Sequence, residues 1–403
     1  MNQVGSKRIV FLFRTYNDID HIAPVAWKAT ISGWPTFLFF VDKNLIDDYR
    51  IQFLFKQGAF QLSIPFLDNF LRKSEKWRKA FFVRRLLKWT LSFLLGTYLL
   101  RKHEIEIIVI EWTGHLGRVL SELFLRPARS FMLPVFSIPH GYFLWKNPNF
   151  NQVVEVGLKA SGKFPDFSDR DWFKSYVVQS EEHKAMNVQS GMDSSKIRIL
   201  GSARFCSEWT EINDKLMLRV CPKTDNDQRF CVLFFLPHWD YQVERKSCIS
   251  LLKKIIEEPG LFLVIKAHTR GTGALSHEEQ ENLRNAGDVS FAHEDQHSPA
   301  LIRDADLVVN FGSSIGFDAL RRGISVINPR YLHRNKTFFD DSGAVFDTFD
   351  EAETLKMISA IKARKIAAKD PEEIATFLRR RVDNGGNGDD VLASYLELFA
   401  GEQ

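Results

Sequence analysis

Residues 306–329 read DLVVNFGSSIGFDALRRGISVINP. An apolar run ends at Phe311. Gly312, Ser313 and Ser314 follow, a helical pattern covers about 315–322, and a second apolar run closes the segment. Strand, tight turn, helix and strand in this order make a βαβ unit, which implies parallel strands. The first turn of the helix would offer free backbone N–H groups and the positive end of its dipole to an anion, with the Ser313 and Ser314 hydroxyls as extra donors. An ordinary serine-capped helix accounts for the same letters. Asp318 would face a ribose hydroxyl or cap the helix.

The same grammar extends in both directions. After Gln228 the strand patterns are RFCVLFFLP (229–237), GLFLVIKAH (260–268), DVSFAH (288–293) and AVFDTF (344–349). Helical stretches lie between at about 242–257, 276–286 and 350–364. The earlier half offers KRIVFLFR (7–14), PTFLFFVD (35–42), FQLSIPF (60–66), EIEIIVIEW (104–112), PVFSIPHG (134–141), SYVVQS (175–180) and IRILG (197–201). Most are short continuous apolar runs, as expected of parallel strands covered on both faces. The expectation is an α/β protein of two doubly wound, Rossmann-like domains facing a central cleft, the GT-B architecture. Residues 1–206 would form the acceptor-side domain, joined by a C-terminal helix at about 385–403. The polar stretch 207–228 would be a linker. Residues 229–384 would bind the nucleotide sugar.

Composition agrees with two soluble α/β domains. The 403 residues are 45% hydrophobic and 26% charged, with a net charge of +4, too mild to indicate a nucleic-acid partner. Cys206, Cys221, Cys231 and Cys248 lack ligand spacing and read as reduced thiols. The N-terminus enters a strand pattern directly, so a cytoplasmic location is expected. Between Arg72 and Lys88 lie eight basic residues and one acid, interleaved with Trp77, Phe81, Phe82 and Trp89. The stretch 72–100 reads either as a domain helix with a solvated basic face or as a peripheral contact with the anionic inner surface of the cytoplasmic membrane.

Ligands in doubly wound sheets bind beyond the carboxyl ends of the strands. In the second half these ends carry Asp240 and His238 (LPHWD), Lys266, His268 and Arg270 (KAHTR), and Gly312 to Ser314. The cations and imidazoles suit a phosphate or a sugar carboxylate. Asp240 could be a catalytic carboxylate, or cap a helix. In the first half, Glu111 and His140 each follow a strongly apolar strand and are candidate acid–base groups. His115 is a weaker candidate, and Asp20 reads as the cap of the first helix.

Several stretches resemble bacterial surface-polysaccharide transferases of GT-B type. IPHG (138–141), KIRILGSAR (196–204) and NFGSSIGFDALRRGISVI (310–327) are similar to elements of the CDP-glycerol glycerophosphotransferases. FLFRTYNDIDHIAPV (11–25) and LPHWD (236–240) resemble the retaining β-Kdo transferases of O-antigen and capsule synthesis. KAHTR stands where these families carry a His-Pro element, with Thr269 in place of proline. The resemblance implies a transferase that moves Kdo from CMP-Kdo to a lipid-linked glycan without a metal or other cofactor. Asp240 would be the catalytic carboxylate and His268 would lie beside the sugar or its phosphate. Ser313 and Ser314 would hold the CMP phosphate, and Lys266 and Arg270 the phosphate or the Kdo carboxylate. Gly201 and Ser202, in KIRILGSAR, would join the donor site. A glycerophosphotransferase, another nucleotide-sugar transferase, a sugar-nucleotide 2-epimerase and a non-catalytic scaffold remain as alternatives.

Overall fold

The computed structural model of the chain describes residues 6–63, 81–112, 121–147, 149–162, 166–170, 172–218, 228–268, 274–293, 295–386 and 388–401, without side chains at 81–89, 121, 122, 153 and 161. It divides into two compact units. One comprises Met1–Gly141, Pro165–Trp209 and Arg381–Gln403; the other comprises Tyr142–Phe164 and Thr210–Arg380.

In the first unit, strands β1 (Ile9–Phe13), β2 (Thr36–Phe40), β3 (Phe60–Leu62), β4 (Ile107–Glu111), β5 (Val135–Ile138), β6 (Ser175–Val178) and β7 (Ile197–Ile199) form a parallel sheet in the order β3-β2-β1-β4-β5-β6-β7. All five residues of β1, β2 and β4 are buried, because helices cover both faces. Val10, Leu12, Ile108 and Ile110 pack on one face with Phe124 and Tyr176. On the other, Phe11 and Phe136 meet Phe399 of the helix Val391–Ala400.

In the second unit, β8 (Phe230–Phe235), β9 (Leu261–Lys266), β10 (Val289–Phe291), β11 (Leu307–Asn310), β12 (Ser325–Pro329) and β13 (Phe346–Thr348) form a parallel sheet in the order β10-β9-β8-β11-β12-β13. Its core includes Val232, Phe234, Leu263, Ile265, Leu307, Val309 and Ile327. Both sheets thus carry the doubly wound order, with strand direction of travel reversing between β1 and β4 and between β8 and β11. Crevices open at such switch points beyond the carboxyl ends.

Three details differ from the sequence expectation. Ser207–Leu216, expected as linker, is a helix, and its Trp209 packs on Trp27 at 5.9 Å between ring centroids. Tyr142–Phe164, placed by sequence in the first domain, clusters with the second unit. There Trp145 forms an antiparallel bridge with Thr337. Finally, Asp20 caps nothing. The helix Tyr16–Ile31 starts at Thr15, and Asp18 accepts from the Arg14 and Thr15 amides at 2.7 and 2.9 Å in a capping box. Asp20 instead lies buried in an ion cluster with Arg50 and Arg204, and Arg50 also pairs with Asp48.

Among the described residues no helix is long and apolar enough to cross a membrane. Five of the eight basic residues of 72–88 lie outside the described residues. Arg84, Arg85 and Lys88 fall where side chains are not described.

Candidate functional site

At the switch point of the second sheet, β8 runs out through Pro237 into His238, Trp239 and Asp240. The Asp240 carboxylate lies 3.2 Å from His238 Nδ1, and its side chain is 43% exposed, so it is open to a ligand. The Asp240 amide also approaches the same nitrogen at 3.3 Å. A neutral imidazole with bare Nδ1 accepts from the amide; an imidazolium donates to the carboxylate instead. His268, just past β9, meets His238 edge to face at 5.8 Å.

On the other side of the switch, β11 leads through Phe311 to Gly312. Its φ is +71°, and a β-carbon there would come within 2.6 Å of Trp145 Cη2. Both the turn and the ring on top of it demand glycine. Asn310 Nδ2 donates to the Ser313 carbonyl at 2.8 Å and shapes the loop, and Ser313 Oγ accepts weakly from the Ile315 amide at 3.4 Å. Both serines are partly exposed. The helix that follows, Gly316–Arg321, has only six residues, so its dipole is small and an anion there would rely on the loop's own N–H and hydroxyl donors.

Aromatic rings join the two sides of the switch. Trp145 lies 5.3 Å from Tyr241, 6.2 Å from a parallel Phe150 and 6.1 Å from an edge-on His333, and Tyr241 lies 5.6 Å from His238. Asn335 fixes this arrangement by donating to the carbonyls of Phe150 and Tyr241, both at 2.8 Å. His333 stacks on Phe311 at 5.9 Å. Burial there pushes its pKa down to about 4, against a smaller upward pull from Asp340. The sequence reading missed Trp145, Tyr241, His333 and Asn335. The one cue was aromatic density: Tyr142, Phe143, Trp145 and Phe150 fall within nine residues.

Other predicted donor residues sit elsewhere. Lys266 is buried, and its Nζ donates to the His293 carbonyl at 2.5 Å, tying β9 to the end of β10. Asp318 is buried and bonded at 3.1 Å to Arg322, which also holds Asp214. The helix turns this carboxylate inward, away from the Gly-Ser-Ser loop. Gly201 and Ser202 belong to the first unit. Gly201 has φ +78° and lies against the Val382 carbonyl, and Ser202 donates its amide there at 2.6 Å. Tyr395 donates to the Gly201 carbonyl at 3.1 Å. This pair receives the returning C-terminal segment. Arg270, Thr269 and His115 lie outside the described residues.

In the first unit the switch point between β1 and β4 brings Arg14 onto Glu111. The Glu111 carboxylate is fully buried, paired with Arg14 and 3.0 Å from His140 Nδ1 beyond β5. His140 is 37% exposed and presents its outer edge to solvent. Trp112 packs edge-on against His140 and stacks on Tyr176. The buried Glu111 carboxylate behind the half-open imidazole orients the ring. Glu111 and His140, singled out separately by sequence, are thus direct neighbours. Among the described residues no three His, Cys, Asp or Glu side chains are grouped to hold a metal ion.

Two Rossmann-like units with these sheet orders define a GT-B fold. The chain is similar over 98% of its length to all of the UDP-GlcNAc 2-epimerase of Neisseria meningitidis solved with UDP-GlcNAc, at TM-score 0.61 and 13% identity. The UDP-GlcNAc 2-epimerase of Methanocaldococcus jannaschii aligns over 97% of this chain and 99% of its own at TM-score 0.57 and 13% identity. Anabaena HepE, solved with UDP and glucose, aligns over 98% and 100% at TM-score 0.54 and 13% identity. At such identities the likeness is one of fold. No protein-family model and no curated protein sequence matches the chain.

Proposed function

We propose that the chain is a nucleotide-sugar enzyme, and specifically a glycosyltransferase whose donor is held at the strand ends of the second unit. The observation that carries this reading is the gathering of Asp240, His238 and His268 with the Gly312–Ser314 loop at the β8/β11 switch point. The loop offers uncharged donors to a phosphate, and the half-exposed carboxylate beside His238 is accessible to a sugar. Fold neighbours solved with UDP-GlcNAc, or with UDP and glucose, support a nucleotide sugar as substrate.

The donor we favour is CMP-Kdo, on the resemblance of LPHWD and FLFRTYNDIDHIAPV to the β-Kdo transferases, with a lipid-linked glycan as acceptor. In this reading an Asp240 oxygen attacks the anomeric carbon and CMP leaves with the bonding pair. The acceptor hydroxyl then displaces Asp240 and gives its proton to a neighbouring base such as His238. Two inversions amount to retention.

A 2-epimerase is the second reading. It is favoured by the two epimerase neighbours and by the Glu111–His140 pair, which could take and return a proton. Incubation with CMP-Kdo, CDP-glycerol and UDP-GlcNAc separately, with and without a glycan acceptor, decides between them. The transferase reading expects acceptor-dependent CMP release and a glycosylated product. Acceptor-free conversion of UDP-GlcNAc to its 2-epimer overturns it in favour of the isomerase, and no turnover of any donor leaves the scaffold.

A further inference from the structure

Among the described side chains of the helix Phe81–Lys102, one face packs on the first unit. Ser92, Gly96, Leu99 and Leu100 are turned inward, and Gly96 lies so close to the Leu123 carbonyl that a β-carbon could not be accommodated. On the opposite face Leu91, Leu94 and Tyr98 are 38%, 57% and 56% exposed. Their spacing of three and four residues makes them one continuous stripe. Arg101 and Lys102 close the stripe: Lys102 Nζ sits 5.5 Å over the Tyr98 ring, and the Arg101 guanidinium lies 4.8 Å over Phe131. The next residue, Met132, occupies a left-handed turn (φ +56°) and is 90% exposed, the most exposed large apolar side chain among the described residues.

We infer that this face is a docking surface for an anionic lipid bilayer, with Leu91, Leu94, Tyr98 and Met132 entering the headgroup region and Arg101 and Lys102 meeting lipid phosphates. The charge argues for lipid. The apolar stripe is bordered by cations, Arg129 is exposed beside Met132, and the sequence from Arg72 to Lys88, which runs into the first turns of the helix, carries eight basic residues against one acid. Aliphatic and aromatic side chains on one side of a helix with basic neighbours suit the interfacial zone, where apolar burial and attraction to anionic headgroups add together. The helix is not long and apolar enough to cross the bilayer, so association is lateral and reversible. The inference stands apart from the donor chemistry, since none of these residues lies at a strand end of either sheet.

The test is flotation of the full chain with vesicles of phosphatidylcholine alone and with 30 mol% phosphatidylglycerol as the probe, at low and high NaCl. Wild type should float with the anionic vesicles at low salt, lose most binding at high salt, and stay down with neutral vesicles. Leu94→Glu and Tyr98→Glu should each weaken partitioning about tenfold or more, because each exchanges a partly buried apolar group for a repelled charge. Both positions are exposed, so thermal melting should match wild type. Leu218→Glu, which alters an 82% exposed leucine of the second unit, should float like wild type. Equal flotation of wild type and both stripe variants overturns the inference. So does an absence of flotation by wild type. Sedimentation showing self-association that Leu94→Glu abolishes, without vesicle binding, would make the face a contact between copies.

Discussion

His333 should make the second unit acid-sensitive between pH 6.5 and 4. Its imidazole is 5% exposed, stacked on Phe311 and edge-on to Trp145. Burial holds the neutral form and lowers the pKa from 6.5 to about 4; Arg330 adds to this and Asp340 opposes it. Because the folded pKa is depressed, the unfolded chain binds the proton first as pH falls. Stability from neutral burial is fully present above pH 6.5, is lost through the window down to about 4, and changes no further below. At about 1.4 kcal/mol per pKa unit the full difference is roughly 3 kcal/mol, of which about 2.5 kcal/mol is gone by pH 4.5. The assay is urea unfolding followed by tryptophan fluorescence at pH 7.5 and 4.5 for wild type and His333→Asn. The substitution will cost stability at both pH values. Its pH-dependent loss should nonetheless be smaller than that of wild type by about 2 kcal/mol. Identical losses would refute the reasoning and show that the ring is solvated or already protonated at neutral pH.

Asp240→Asn should reduce turnover about 10²–10⁴-fold while melting and nucleotide binding hold, as steady-state kinetics and calorimetry would show; near-normal turnover would move the chemistry to Glu111 and His140. Gly312→Ala should weaken sugar-nucleotide binding by about tenfold, since φ +71° strains a β-carbon by about 1–2 kcal/mol and the methyl must displace Trp145. Isothermal titration measures it, and unchanged affinity would detach the loop from the donor. Asp20→Asn removes the charge that faces the buried Arg50 and Arg204 and should destabilise the first unit by about 3 kcal/mol, visible as a lower melting temperature; an unchanged melt would mean the cluster is solvated.

The sheets were legible because most of the strands are short runs of apolar residues, and no polar/apolar alternation is needed where both faces are covered. The helices that begin at Glu181, His277 and Glu351 start after side-chain caps at Ser180, Ser276 and Asp350. What did not show is what depends on distant partners. Nothing in 142–164 announces that Trp145 pairs with Thr337, almost two hundred residues on. Ser207–Leu216 has few apolar residues, and its helical face is defined by Trp27 and other groups far away in sequence. Position at a strand end was legible in sequence for Glu111, His140, Asp240, His268 and Gly312, because each lies at or shortly after the end of an apolar run. At Lys266 and Asp318 the sequence does not show side-chain direction: both are buried, Lys266 bonded to the His293 carbonyl and Asp318 to Arg322. The aromatic links between strand ends were invisible for the same reason as Trp145.

The helix Val391–Ala400 gives the order of synthesis a role in folding. Phe399 fills the space between Phe11 and Phe136, and Tyr395 secures Gly201 at the end of the first sheet. A ribosome that has finished β7 must add roughly 190 more residues before this helix exists, about 10–40 s at ordinary elongation rates. Through that interval one face of the first sheet lacks its plug. The nascent chain must therefore carry an open patch of phenylalanines on Phe11 and Phe136 while the whole second unit is being made. Fragments that stop short of residue 391 should keep that patch for good, and with it a tendency to aggregate or to stay bound to chaperones.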